Sequence, residues 1–347
     1  MKKKIAILGG GLAGLSAAFH LRKSGKDFLL FEKEERTGGL SASFTVNKFS
    51  FDYTGHYLHF KTNYGKELVS RFLGKNIKAQ DRKAAVYISG EYIPYPFQVN
   101  YGRLKNKKIV SECEKGLANL KSPKKKKIFK TFKDWILGMT GEGVAKHFML
   151  PYNEKLYKSD LGKILPSGPV VYIPDIKEKK KAYGYNAKFF YPKKGGIGLL
   201  AKAINEKIFD RVLLCARVTS IKGSTLNFNN SRSASGFDSI ISTIPLPELI
   251  PLLKGAPKKV LKAAKNLKYV SVFALNLGIG RAGINKNHWI YFPDPKVSFY
   301  RVGFYSNVSR KLCPPWTSSL YAEVSVKQGE KFNVKALAGR IKKDLIK

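Results

Sequence analysis

Acidic charge and long apolar runs are scarce in this 347-residue chain, in which 24 aspartates and glutamates stand against 64 lysines and arginines. No apolar stretch reaches the ~18 residues that a bilayer-spanning helix needs. The three cysteines, Cys113, Cys215 and Cys313, are odd in number and far apart, so they spell no metal or redox motif. They suit a reducing, cytoplasmic setting. The five histidines show no ligand spacing, and no metal is expected. No internal repeat is visible. The acid deficit leaves a formal charge of +40 and a pI near 10.0. Lysines are scattered, with dense runs at 121–127 and 177–181. Such charge suits solvated faces, attraction to an anionic nucleotide substrate, or peripheral contact with an anionic membrane surface. No DNA- or RNA-reading motif accompanies it, so nucleic acid is not an expected partner. Oligomeric state is not legible.

The start of the chain carries the most specific pattern. A basic opening, Met1 to Lys4, ahead of an apolar run looks like a secretory signal, but the next residues depart from that pattern. Lys4–Leu8 reads as a strand, Gly9 to Gly14 as a glycine-rich turn, the stretch to about Ser24 as a helix, and Phe28 to Phe31 as a second strand ending in Glu32. Gly9, Gly11 and Gly14 occupy the three glycine places of the dinucleotide fingerprint: one for the tight turn, one for close approach of a pyrophosphate, one for helix–strand packing. The pyrophosphate is expected on the helix N-terminus at Leu12 and Ala13. Glu32 stands where an acid can accept hydrogen bonds from a ribose.

Beyond the acid, Lys33 to Leu40 contains Arg36-Thr37-Gly38-Gly39. This Arg-x-Gly-Gly element resembles the flavoprotein family of amine oxidases, protoporphyrinogen oxidases, phytoene desaturases and UDP-galactopyranose mutases. The resemblance implies FAD as cofactor, with Gly38 and Gly39 close to its diphosphate. It implies an α/β fold: a discontinuous Rossmann-like FAD-binding domain, of the glutathione reductase-like kind, from residues 1–60 and 186–250. An inserted α+β substrate-binding domain is expected from 61–185 and 251–347. In the first domain, Gly195 to Gly198 opens a helical run from Leu199 to Ile208, strands come next at Arg217 to Ile221 and Thr225 to Phe228, and Phe237 to Thr243 is a β-rich run. In the second, Ala84 to Ile88 and Tyr92 to Phe97 flank a hairpin turn. Helical segments run from Leu104 to Leu120 and Phe129 to Met149, and strands are expected at Ser271 to Leu277, Phe299 to Phe304 and Ser319 to Ser325. The cofactor contacts implied by resemblance further include Lys33, Arg36, Leu40, Gly55, His56, Val218 and Thr243.

Three segments resemble the mutases in particular. Gly55-His56 matches the segment whose histidine packs beside the flavin, although Thr54 stands in place of a first glycine. Tyr95-Pro96-Phe97-Gln98 resembles a segment near the sugar nucleotide. Tyr291 and Arg301, ten positions apart, match a tyrosine and an arginine that contacts the substrate diphosphate; a guanidinium suits phosphate through bidentate, charge-assisted bonds. The resemblance therefore implies His56, Tyr291 and Arg301 as catalytic residues. It implies Tyr95, Phe97, Gln98, Asn153, Tyr157, Tyr291, Arg301 and Asn307 as contacts to an anionic substrate, a nucleotide sugar. Pro151-Tyr152-Asn153-Glu154-Lys155 is also similar to the family, but Leu150 stands where the mutases have a second arginine, and Tyr157 where they have tryptophan. The relatives continue for several dozen residues past Lys347. The implied activity is interconversion of the ring forms of a UDP-sugar through reduced flavin. The alternative is an FAD oxidoreductase of the protoporphyrinogen or amine oxidase or desaturase type that accepts hydride from its substrate. A third reading is a truncated, non-catalytic relative.

Overall fold

A computed structural model describes residues 4–120, 128–166, 187–229 and 231–346, so both dense lysine runs lie outside the described residues. The chain divides into two compact units, residues 1–78 with 191–268 and residues 79–190 with 269–347.

The first unit is built on a parallel sheet. β1 (Lys4–Leu8) pairs in parallel with β2 (Asp27–Phe31) and with a late strand, Ser239–Ser242; a two-residue strand, Val212–Leu213, extends the edge beyond β2. Alternate residues serve opposite faces. Ile7, Phe28 and Leu30 pack with Leu15 and Ala18 of α1 (Leu12–Lys23), whereas Ala6, Leu8 and Phe31 pack with Ala216, Leu226 and Phe228. Both faces are covered, which is why KIAIL reads as an unbroken apolar run rather than an alternation. Next comes an antiparallel hairpin that sequence reading did not anticipate, β3 (Ser43–Val46) and β4 (Phe49–Asp52). Its turn residues Asn47 and Lys48 have φ of 48° and 67°, the two positive values that a primed two-residue turn requires.

α2 (Asn63–Leu73) is capped by Thr62, whose Oγ1 accepts the Gly65 N–H at 3.2 Å. Its Val69, Phe72 and Leu73 pack into the core beside α1. This burial draws residues 61–78 into the first unit, although the sequence suggested the inserted domain. β5 (Ile77–Asp81) then leads into the second unit.

There, β6 (Ala84–Ile88) and β7 (Glu91–Pro94) form the expected hairpin, turned at Ser89 and Gly90. The short α3 (Phe97–Asn100) and α4 (Lys107–Ala118) come after it. The helix read from Phe129 to Met149 is broken. α5 (Phe132–Val144) opens with a Thr131/Asp134 capping box, carries a non-helical Gly141 at φ 72°, and passes through a π-turn at 145–149 into α6 (Leu150–Tyr157). The cause is a backbone-close crossing: a Cβ on Gly143 would lie 2.1 Å from the Glu112 carbonyl oxygen of α4, and one on Gly116 would lie 2.6 Å from Gly143 N.

β8 (Lys188–Pro192) returns the chain to the first unit, where α7 (Gly198–Asn205) buries Leu200, Ala201 and Ile204 on α1. β9 is the Val212–Leu213 edge strand, and β10 (Val218–Lys222), β11 (Thr225–Phe228) and β12 (Arg232–Ala234) form an antiparallel sheet. β13 is Ser239–Ser242. α8 (Leu246–Leu249) and α9 (Lys258–Asn266) complete the unit. Residues 251–268 join it, against the expected boundary, because Leu252 and Leu253 pack onto the Ile221 cluster and Lys254 N donates to Ile221 O.

The second unit resumes with β14 (Val270–Ile279), β15 (Trp289–Tyr291), β16 (Arg301–Gly303), α10 (Tyr305–Val308), β17 (Ser318–Lys327) and α11 (Val334–Ile346). Its sheet runs β14-β17-β16-β15-β6-β7, parallel only at the β15–β6 pair. The strand expected at Phe299 to Phe304 shortens to three residues, although Phe299, Tyr300 and Phe304 are all buried. Among the described residues no helix is long and apolar enough to cross a membrane.

The glycine crossing gives a stability test. Gly143→Ala is expected to destabilise by about 1–3 kcal/mol, because both contacts are backbone and neither can move alone. Gly339→Ala, in an exposed turn of α11 where a Cβ meets nothing within 4 Å, is expected to be neutral or stabilising. Urea midpoints of the two variants check this; equal midpoints would remove the crossing as the cause of the helix break.

Candidate functional site

In the first unit the site is made of backbone. Gly9 leaves β1 at φ 97°, with its N–H donating to Phe31 O at 2.9 Å. α1 passes so close that a Cβ on Gly14 would lie 1.9 Å from the Gly9 carbonyl oxygen. No side chain caps α1, and its first turn holds no acid, so the N-terminal peptide dipoles at Leu12, Ala13 and Gly14 are not neutralised. A Cβ on Gly11 meets nothing within 4 Å. The second glycine pair comes alongside: Gly38 N donates to Gly10 O at 2.8 Å, Gly11 and Gly38 form a parallel bridge, and a Cβ on Gly39 would lie 3.2 Å from Gly11 Cα. Thr243, just past β13, closes the far side, its hydroxyl donating to Leu8 O at 2.8 Å. Thus the structure brings together Gly9, Gly11, Gly14, Gly38, Gly39 and Thr243.

Glu32 is 5 % exposed, and its carboxylate accepts the Gly10 N–H at 2.5 Å and the Glu34 N–H at 2.9 Å. The acid expected at a ribose therefore also holds the turn. Lys33 and Arg36 line a cavity of about 270 Å³ with Glu34, Glu35, Gly39 and Tyr53, and Arg36 reaches the Tyr53 hydroxyl at 3.3 Å. Leu40 is solvent-exposed, and Val218, at the start of β10, packs against the Phe31 core.

Gly55 and His56 lie just past β4. His56 Nδ1 lies 3.3 Å from both oxygens of Thr54, and its backbone N–H donates to Thr54 O at 3.0 Å. Two positions before Thr54 is a residue that sequence reasoning missed. Asp52 is 1 % exposed and accepts hydrogen bonds from Ser43 Oγ (2.5 Å), Tyr191 Oη (2.5 Å) and Ile197 N (3.2 Å). Burial raises its carboxyl above 3.8, although those bonds and the nearby His56 pull the other way. Ser43 Oγ also accepts the Gly198 N–H at 2.7 Å, so one carboxylate and one hydroxyl join the hairpin to the start of α7. The signal was Gly196: a Cβ there would lie 2.3 Å from Ser43 Oγ.

In the second unit an aromatic cluster forms beside Arg301. Tyr291 and Arg301 are cross-strand partners on β15 and β16. The Tyr291 ring lies 4.7 Å from that of Tyr95 and 5.3 Å, edge to face, from that of Tyr152, which in turn stacks on Phe148. Arg82 sits over the Tyr95 ring at 4.9 Å. Burial pushes the Tyr152 phenol well above its ordinary range, with Tyr291 adding to the shift, so it stays a neutral donor. Arg301 is paired: Nε and Nη2 bind the two oxygens of Glu323 at 2.5 and 2.7 Å, leaving Nη1 without a hydrogen-bond partner among the described residues. Burial works against its charge, but Glu323 beside it, with Tyr321 and Tyr300, moves its pKa upward.

The remaining expected contacts have these surroundings. Phe97 is fully buried and stacks on Phe148 at 5.3 Å. Asn153 turns back onto its own helix, Nδ2 donating to Met149 O at 2.6 Å. Tyr157 meets Phe132 edge to face at 5.8 Å. Asn307 Nδ2 donates to Asn285 O and Asn287 O at 2.9 and 2.6 Å, which fixes a loop. Gln98 is 2 % exposed, and its Oε1 has no hydrogen-bond partner among the described residues. The Pro151–Lys155 motif holds two residues that sequence reading did not single out: Tyr152, and Lys155, whose Nζ donates to Phe292 O and Asp294 O at 2.8 Å each and so ties α6 to the loop after Tyr291. Burial lowers that ammonium to about 7.

Comparisons with known proteins fit this geometry. The model of a family described as an NAD(P)-binding Rossmann-like domain matches residues 7–75. A crystal structure of reduced UDP-galactopyranose mutase superposes with a TM-score of 0.91 at 27 % identity, covering 99 % of this chain and 79 % of that one. A putrescine oxidase structure, bound to putrescine, superposes with a TM-score of 0.68 at 15 % identity over 99 % of this chain and 81 % of that one; it bears on the fold alone. A Dictyostelium discoideum protein named probable flavin-containing monoamine oxidase A is 32 % identical over 92 residues, 26 % of this chain. The chain spans about a fifth of that relative's length, 20 %.

The Asp52 hub gives a pH test with a fixed sign. A raised carboxyl means that the folded form holds this proton more tightly than the unfolded one. Its contribution is complete below the unfolded value of 3.8 and declines as pH rises through the folded pKa. Asp52→Asn removes that titration. Urea midpoints of both proteins across pH ~3 to ~7 are expected to show a difference that changes with pH on the alkaline side of the unfolded value. A pH-independent difference would assign Asp52 no such shift.

Proposed function

We propose that this chain, which has the fold and glycine frame of the amine oxidase superfamily of flavoproteins, is an FAD-dependent enzyme acting on a nucleotide sugar. The reading of the activity is that of a UDP-galactopyranose mutase: interconversion of the ring forms of the sugar. The residues present fit FAD. Gly14 packs where a Cβ would collide with the Gly9 carbonyl, Gly11 and Gly39 come within tight contact of each other, the helix N-terminus has no competing cap or acid, and a cavity lined by Lys33 and Arg36 lies next to Glu32. When bound in reduced form, the flavin supplies the nucleophilic ring nitrogen that this isomerisation needs.

The observation that carries the substrate reading is the Tyr291–Arg301 pair. Glu323 takes one edge of the guanidinium and fixes its plane, while Nη1 keeps donor capacity for a phosphate oxygen. Tyr95 and Tyr291 offer flat faces beside it, and Gln98 Oε1 adds a buried acceptor. These groups bind and orient; none needs to move a proton. The mutase superposition, at higher identity than the putrescine oxidase, supports the same reading. A second reading, an FAD oxidoreductase taking hydride from its substrate, is favoured by the charge balance: Glu323 offsets Arg301, and Leu150 supplies no second cation.

Two measurements test this. The purified protein is expected to show flavin absorbance after FAD is added, and Gly14→Ala to lose it, because its Cβ would displace the Gly9 carbonyl. Protein that stays colourless under all conditions identifies a non-catalytic relative. With flavin bound and reduced by dithionite, UDP-galactofuranose is expected to turn over. Arg301→Lys, which keeps the charge but loses the fork, is expected to raise KM about tenfold or more. Substrate-dependent peroxide release without mutase turnover would establish the oxidoreductase reading instead.

A further inference from the structure

Between Glu248 and Asp294 the chain carries no acid, and α9 lies within this stretch. The helix is barely covered: of its nine residues only Ala264 is buried and only Val260 is half-buried. Lys258, Lys262 and Lys265 recur at helical spacing on one solvent face, and Lys259 and Lys268 flank them. Leu261, three residues from Lys258 and four from Lys265, neighbours both on the helix surface and is 38 % exposed. Leu267, at the helix end, is 44 % exposed. Exposed leucines set among lysines, with no acid in the segment, form the pattern of a helix that lies in a membrane interface.

We infer that α9 is a docking face for a bilayer containing anionic phospholipid, the lysines meeting headgroup phosphates and Leu261 and Leu267 entering the acyl boundary. Charge complementarity selects this occupant. A second copy docked through the same face would bring lysine against lysine with no acid to receive it. A nucleic acid would meet the lysines but has no use for the leucines, and α9 offers no guanidinium for stacking on bases; the exposed ring that adjoins it, Tyr269, suits the headgroup level of a membrane interface.

The test is co-sedimentation of the full chain with phosphatidylcholine vesicles, with and without phosphatidylglycerol. Binding is expected only to the anionic vesicles. The combined change Lys258→Glu, Lys262→Glu and Lys265→Glu is expected to weaken it by at least about tenfold. Leu261→Ser with Leu267→Ser should weaken it severalfold at unchanged charge. The same charge reversal on α11, Lys335→Glu, Lys342→Glu and Lys343→Glu, should leave most of the binding intact. Equal loss in the α9 and α11 variants would reduce the effect to net charge and overturn the proposal. So would indifference to the leucines, absence of binding to anionic vesicles, or displacement from vesicles by single-stranded RNA whose own binding needs the α9 lysines.

Discussion

At the start of α1 the chain presses backbone against backbone, 1.9 Å separating the Gly9 carbonyl oxygen from where a Gly14 Cβ would be. Much else in the first unit depends on this contact. It sets the angle at which α1 leaves the sheet, and hence the burial of Leu15 and Ala18 against Ile7, Phe28 and Leu30. It leaves the helix N-terminus bare, with no side chain over it. It also lets the 38–39 loop close on Gly11, so that the two glycine pairs, some 27 positions apart (38 − 11 = 27), share one place. Glu32 completes the arrangement from inside. Its carboxylate holds the Gly10 and Glu34 N–H groups, and two oxygens with about four lone pairs retain acceptor capacity for a ribose.

The second unit depends on a different constraint, a carboxylate buried in a strand. Nine of the ten residues of β17 are buried, including Glu323 at 1 % exposure. An unpaired charge there would be costly, and breaking such a pair typically destabilises by about 3–5 kcal/mol. Arg301 is held in place by that requirement. The guanidinium is thereby both a structural counter-ion and a cation paired in register with Tyr291, and its orientation is fixed before any ligand arrives. The same logic explains why Arg301→Lys is the informative change: alanine would expose the Glu323 problem and confound binding with folding.

How much could be read from the sequence depends on how local each signal is. The strand–glycine turn–helix–strand opening is local, and its elements appear within a residue or two of expectation. The β6–β7 hairpin is equally local. The break in the Phe129–Met149 helix was not legible, because it is imposed by α4, whose Gly116 and Glu112 lie more than two dozen positions away. Domain boundaries moved for the same reason: α2 and residues 251–268 are assigned by what they bury against, not by composition. The backbone geometry of the candidate glycines was legible because it is conformational. The carbonyl bonds of Asn153 and Asn307 were not, because an amide can serve many acceptors and only the fold selects one. Glu323 was missed because an acid in a strand carries no mark of burial, and Asp52 because its mark, Gly196, lies far along the chain.

The acids that the chain does have explain its surface. Glu32, Asp52 and Glu323 face inward and hold backbone, hydroxyl or guanidinium groups. Glu112 is committed to Lys146 and His147, whose hydrogen bonds draw its carboxyl down to about 2. Asp27 and Asp210 pair with Arg211 and Arg22. A chain with only 24 acids that engages so many in such contacts leaves few to balance its 64 cations at the surface. The resulting positive field raises the encounter rate with anions before any specific contact forms, and salt screens it over about 8–10 Å. A diphosphate ligand gains from this field without help from Leu150, whereas an apolar substrate gains nothing and a protonated amine is repelled. High ionic strength therefore separates a nucleotide sugar from an uncharged substrate by its effect on the second-order rate alone.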